Sequence, residues 1–339
     1  MNLAFNITGF ILCGFVLVGV NSDLFAPQSN LALFGLLGLV LVFLGTPFAK
    51  RWKDRKAFKV SDIVLCLLTV FAFGYVFIQS EPLLQSFWVD GQKLGDRAGS
   101  EGSVDFVVGL IGILLVLEAT RRAIGNTLPI LVLIFIVYAF AGPSLPDWAF
   151  PHRGFNWERI VSQGFLQSGV FGIALKVMFT YVFPFVIFGT LLEQTGATAY
   201  VINLAQRIFK NSSGGPAKVA VVSSGLMGSL SGSAVANTAT TGTFTIPLMK
   251  SSGFKPVQAA GIEAAASSGG ALMPPIMGAG AYMMLEIVEP AVTLLEILRA
   301  AIIPALLYYL ALILTVHFQS RRIGADARST ELYDKENFH

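Results

Sequence analysis

Apolar residues in this chain gather into runs close to the roughly 20 residues that a helix needs to cross a bilayer. The runs are 3–20, 31–49, 60–79, 104–120, 126–142, 172–192 and 298–318. Each predicts a membrane-crossing helix. Between residues 217 and 288 the pattern changes, because two small, polar, uncharged stretches interrupt otherwise apolar sequence. The first is Gly228-Ser-Leu-Ser-Gly-Ser-Ala-Val-Ala-Asn-Thr-Ala-Thr-Thr-Gly242 and the second is Ser267-Ser-Gly-Gly-Ala-Leu-Met-Pro-Pro275. Lipid cannot hydrogen-bond an open backbone, so such stretches must face protein, water or a ligand. The pattern predicts a half-helix over 217–230 and a return arm over 237–250, together a re-entrant hairpin. A second half-helix over 257–268 is broken at 269–275, where Pro274 and Pro275 remove two backbone donors. The chain then continues as 276–288, with a short interfacial arm at 292–299 before the last span. Residues 195–210 are amphipathic and are expected on the inner membrane interface.

Composition agrees with a membrane setting: of 339 residues, 54% are hydrophobic and 13% charged, with a mean hydropathy of +0.70. The formal charge of +3 matters less than its distribution. The loop at 50–59 is strongly basic, and Arg121 and Arg122 follow the fourth span. The loop at 80–103, by contrast, holds Glu81, Asp90, Asp96 and Glu101 against Lys93 and Arg97. The positive-inside rule then predicts a multi-pass protein of the bacterial inner membrane with a cytoplasmic N-terminus. The first run has no basic region before it and no small-residue cleavage site after it, so it is expected to stay as a helix. A short basic loop between spans is a topology signal, and no nucleic-acid partner is expected. Cys13 and Cys66 lie in apolar runs, and the three histidines share no ligand spacing, so neither a disulfide framework nor a transition-metal site is indicated. No nucleophile–base pair or phosphate loop is present, and the chain is not expected to be an enzyme.

Chemistry gathers at the two interruptions. Ser231, Ser233, Asn237, Thr238, Thr240 and Thr241 offer neutral oxygens, and the glycines let backbones approach closely. Neutral oxygens suit a hard cation such as Na⁺. The N-termini of the two return arms, near Asn237 and Ile276, would point positive dipole ends at the same depth, where a carboxylate would be favoured. Runs of small residues also serve simply to pack helices. Finding both runs together favours a binding site. Glu263 is expected as a carboxylate paired with Lys255 near the inner interface, which disfavours a proton relay without removing it.

The stretch from Ser229 to Lys250, with its continuation from Gly261 to Tyr282, closely resembles the large membrane subunit of tripartite ATP-independent periplasmic (TRAP) transporters. The wording is most similar to fused permeases of the TAXI subgroup, in which a four-helix small subunit precedes the large one. The resemblance implies an all-α polytopic membrane protein: a four-helix scaffold followed by the first half of an inverted-repeat transporter. Residues 1–125 would be the small-subunit-like unit, 126–322 the N-terminal half of the large-subunit-like transport domain, and 323–339 a polar tail. It implies an elevator-type importer of organic anions, coupled to Na⁺ and fed by a periplasmic solute-binding protein. No cofactor is implied beyond the coupling ion. Carried onto this sequence, Ser231, Gly232, Ser233, Asn237, Ser268, Gly269, Gly270 and Pro274 would frame a Na⁺ site, with substrate beside them at Thr238, Thr240, Thr241 and Pro275. The family fold implies a second hairpin and broken helix, which this sequence does not contain. A missing C-terminal half of the large subunit is therefore expected as a partner, without which the chain would not transport. Two other readings stay open: a Na⁺-coupled carboxylate carrier that needs no binding protein, and a non-transporting membrane assembly subunit.

Overall fold

The computed structural model describes residues 2–48, 56–209, 212 and 214–324. Most of the basic loop, Lys210, Asn211 and the tail from residue 325 lie outside the described residues. The described residues are helical, with no strand among them. Seven described helical stretches are long and apolar enough to cross a membrane, and each coincides with one of the apolar runs. The chain divides into two compact units, Met1–Thr180 and Tyr181–His339.

The first unit contains α1 (Asn2–Asn21), α2 (Pro27–Gly45), α3 (Lys56–Ser80), α4 (Ser103–Ala123), α5 (Thr127–Ala141), α6 (Trp157–Val161) and α7 (Ile173–Val177). Helices α1 to α4 pack on one another in succession. In lipid, helices associate through close contact rather than hydrophobic exclusion, so small residues mark the contacts. A Cβ added at Gly35 would lie 2.5 Å from the Phe73 ring, and one at Gly112 would lie 2.2 Å from Phe165. Two buried arginines of this unit are paired with carboxylates. Arg97 meets Asp105 at 3.2 Å, and Tyr75 donates to the same carboxylate at 2.7 Å. Arg122, whose side chain is fully buried, meets Asp62 at 2.7 Å and Glu118 at 2.8 Å. An arginine that marks topology in the sequence thus also ties α4 to α3.

The second unit contains α8 (Phe183–Gln194), α9 (Ala197–Phe209), α10 (Gly215–Ser231), α11 (Ala234–Ser251), α12 (Pro256–Gly269), α13 (Ala279–Ile287) and α14 (Leu294–Ile323). Its core joins Ala217, Ala220 and Val221 of α10 with Met249, Ala259, Ala266, Tyr309 and Val316. The hairpin arms and the first half of the broken helix form close to their expected bounds. Two details differ from the sequence expectation. The expected arm at 292–299 is the start of α14, because Thr293 and Glu296 make a reciprocal capping box and nothing breaks the helix after it. The return segment of the broken helix begins at Ala279 rather than Ile276, since Met277 takes a left-handed backbone and Gly278 is extended. Helix α9 packs on α10 through Val201, Ile202 and Ala205, leaving Tyr200, Leu204 and Ile208 outward.

Candidate site at the hairpin tip and the helix break

Helix α10 ends because Gly232 turns left-handed, with φ 61°, and its N–H donates back to the Gly228 carbonyl at 2.8 Å. A Cβ at Gly232 would sit 1.9 Å from the Met277 carbonyl oxygen, so only glycine fits between the tip and the break. Ser233 then caps α11, its hydroxyl accepting from the Ala236 N–H at 3.3 Å. The break is tied to the hairpin by the Ile276 N–H, which donates to the Ser229 carbonyl at 3.2 Å. It is also braced by Tyr282, which donates to the Ile276 carbonyl at 2.5 Å and stacks on Tyr181 and Phe185.

Helix α10 meets the residue that follows α12 backbone to backbone: a Cβ at Gly228 would lie 2.3 Å from the Gly270 Cα. Asn237 is inserted beside this crossing and is 1% exposed. Its Nδ2 donates to the Ser224 carbonyl at 2.7 Å, whereas its Oδ1 is buried without a hydrogen-bond partner. A buried acceptor in that condition costs about 1–3 kcal/mol and calls for a water or ion. This neutral oxygen fits a hard cation.

The structure brings Gly232, Asn237 and Gly270 of the expected set to the contact between hairpin and break. Gly269 faces α14 instead, where a Cβ would lie 2.3 Å from the Tyr308 ring. Thr238 and Thr240 donate to the Ala234 and Ala236 carbonyls at 2.8 and 2.9 Å, and Ser268 donates to the Ala264 carbonyl at 2.7 Å from an exposed position. Pro274 and Pro275 lie in the non-helical segment of the break, and Ser231 half-buried at the tip. Carbonyls at the end of α12 have partners on α14: Tyr308 donates to Ala265 and Tyr309 to Ala266, each at 2.8 Å.

Sequence reasoning missed a neighbouring cluster. Glu263 is completely buried and is not paired with Lys255, which lies exposed at the start of α12. Four hydroxyls surround its carboxylate instead. Ser224, Thr241 and Ser267 approach Oε1 at 2.7, 2.6 and 3.0 Å, and Thr245 approaches Oε2 at 2.5 Å. The signal was present: Thr241 and Thr245, like Glu263 and Ser267, are four residues apart, which places each pair on one face of its helix.

A re-entrant hairpin crossing a broken helix, inside an all-α polytopic protein, defines the architecture of a membrane transporter permease. The chain belongs to the family of the DctM component of the tripartite ATP-independent periplasmic transporter, which matches residues 111–337, more than half of its length. It is 28% identical over 140 residues to the 2,3-diketo-L-gulonate TRAP transporter large permease protein YiaN of Escherichia coli K12, covering 41% of this chain and 32% of that one. It is 27% identical over 140 residues to a putative TRAP transporter large permease protein of Haemophilus influenzae Rd, with the same shares covered. The match thus spans about a third of the length of these curated relatives.

Proposed function

We propose that this chain is the permease component of a TRAP-type secondary transporter that imports an organic anion of the carboxylate class together with Na⁺. A periplasmic solute-binding protein delivers the substrate, and the hairpin unit moves as an elevator. The observation that carries this reading is Asn237: its Oδ1 is buried without a hydrogen-bond partner, while its Nδ2 side lies beside the Gly228–Gly270 crossing. The dipole ends at the starts of α11 and α13 favour an anionic substrate nearby. The name of the Escherichia coli relative, a transporter of a sugar-derived acid, supports the same substrate class.

Uptake is measured in proteoliposomes holding the assembled transporter, with the binding protein outside, under an inward Na⁺ gradient or a matched K⁺ gradient. Na⁺-dependent uptake that falls in Asn237→Ala, and competition by carboxylates rather than neutral sugars, is the expected result. Equal uptake in both gradients would remove Na⁺ from the proposal, and competition by neutral sugars alone would remove the anion.

A further inference from the structure

Glu263 lies between α10, α11, α12 and α14 with no exposed surface. None of the ion pairs among the described residues includes it. The basic residues of the elements packed around it are engaged or remote. Lys218 of α10 donates to Ser212 at 2.5 Å and contacts His317 of α14 at 3.0 Å, and Lys250 of α11 is exposed, like Lys255 of α12. On the α14 side the facing titratable groups are Tyr309, whose hydroxyl donates to the Ala266 carbonyl, and its neighbour Tyr308. A carboxylate buried in a membrane protein without a cation calls for either a full set of donors or a proton.

The cage around Glu263 can supply both. Each hydroxyl has one proton, and Thr241 and Thr245 each have a backbone carbonyl within reach as a second acceptor. Thr241 lies 2.6 Å from Glu263 Oε1 and 2.7 Å from the Asn237 carbonyl. Thr245 lies 2.5 Å from Oε2 and 3.0 Å from the Thr241 carbonyl. With Glu263 ionised, Ser224, Thr241, Thr245 and Ser267 all donate to the carboxylate. With Glu263 neutral, its own O–H on Oε2 donates to Thr245 Oγ1. Thr245 then turns to the Thr241 carbonyl and Thr241 to the Asn237 carbonyl, while Ser224 and Ser267 keep Oε1. Neither arrangement moves a heavy atom or leaves a buried hydroxyl proton without an acceptor.

We propose that Glu263 is a reversible proton-binding site, whose ionised and neutral states are both accommodated by rotation of the Thr241 and Thr245 hydroxyls. The step is a protonation only: one proton from water joins a carboxylate oxygen, one O–H bond forms, and nothing is oxidised or reduced. The site is independent of Na⁺ coupling and survives if the Na⁺ proposal fails.

The test is infrared difference spectroscopy on the purified full chain in lipid nanodiscs, titrated across the pH range in which it stays folded. The carbonyl stretch of a protonated carboxylic acid is expected to grow on acidification in the wild type and in Glu118→Gln, and to be lost in Glu263→Gln. In Thr245→Val the band is expected to remain but to shift in frequency, because the acceptor of the acid proton is gone. The proposal is overturned if no band depends on Glu263 at any pH, which would mean a permanently ionised group. A Glu263-dependent band that ignores pH would also overturn it, as would one that Thr245→Val leaves unshifted.

Discussion

At the residue scale, Gly228, Gly232 and Gly270 do what no other residue can. A methyl group at Gly232 would fall 1.9 Å from the Met277 carbonyl oxygen, and one at Gly228 would fall 2.3 Å from the Gly270 Cα. Backbone cannot retreat as a flexible side-chain tip can, so the helices must separate. Gly228→Ala is therefore expected to destabilise the chain by about 1–3 kcal/mol, read as a fall in melting temperature in detergent. By contrast, Gly261→Ala, where no atom lies within 4 Å of the added methyl, should leave the melting temperature unchanged or slightly raised. Asn237→Ala removes the unpartnered acceptor together with a buried donor to Ser224. If Oδ1 binds Na⁺, adding NaCl in place of KCl raises the melting temperature of the wild type and not of the variant. Equal responses in both would count against a Na⁺ site at this oxygen.

At the element scale, the break in α12 is held by contacts rather than by proline alone. Tyr308 and Tyr309 satisfy carbonyls that the interruption releases, and Tyr309 belongs to the unit's core. Tyr309→Phe keeps the ring and loses one buried hydrogen bond, so a destabilisation of about 1 kcal/mol is expected by thermal denaturation. In the first unit, Glu101 precedes α4 and accepts from the Ser162 hydroxyl and from the Gly99 N–H at 3.0 Å. Burial raises its carboxyl, but the bonds from Ser162 and Gly99 outweigh that, and its pKa is held below the usual carboxylate range. A depressed folded value means that Glu101 stabilises the protein above the ordinary carboxylate range and loses that contribution as pH falls through the folded value. The melting-temperature gap between wild type and Glu101→Gln should be widest near neutral pH and close on acidification.

At the scale of the whole molecule, the proposed orientation gives a direct check. With the N-terminus in the cytoplasm, a cysteine at Ser100 should react with a membrane-impermeant maleimide added to intact spheroplasts, and one at Asn126 should react only after lysis. The reverse pattern would invert the topology. The buried pairing of Arg122 with Asp62 and Glu118 adds a structural reason for this arginine besides orientation. Arg122→Met leaves Asp62 buried without its cation, and a loss of about 3–5 kcal/mol is expected.

The spans, the hairpin arms and the first half of the broken helix were legible in the sequence, because apolar run length and the need to satisfy backbone in lipid act locally. Glycine and proline mark their own positions for the same reason. What the chain did not reveal by itself was pairing between segments far apart in sequence. Glu263 has Lys255 near it along the chain, yet in the fold its partners are hydroxyls from two other helices. The segment expected as a separate arm at 292–299 is instead the start of one continuous helix, capped by Thr293 and Glu296. Only tertiary structure decided which carbonyls α14 covers, which Asn237 oxygen is left unpartnered, and which carboxylate is enclosed. Each of these depends on distances across helices, and local periodicity carries no information about them.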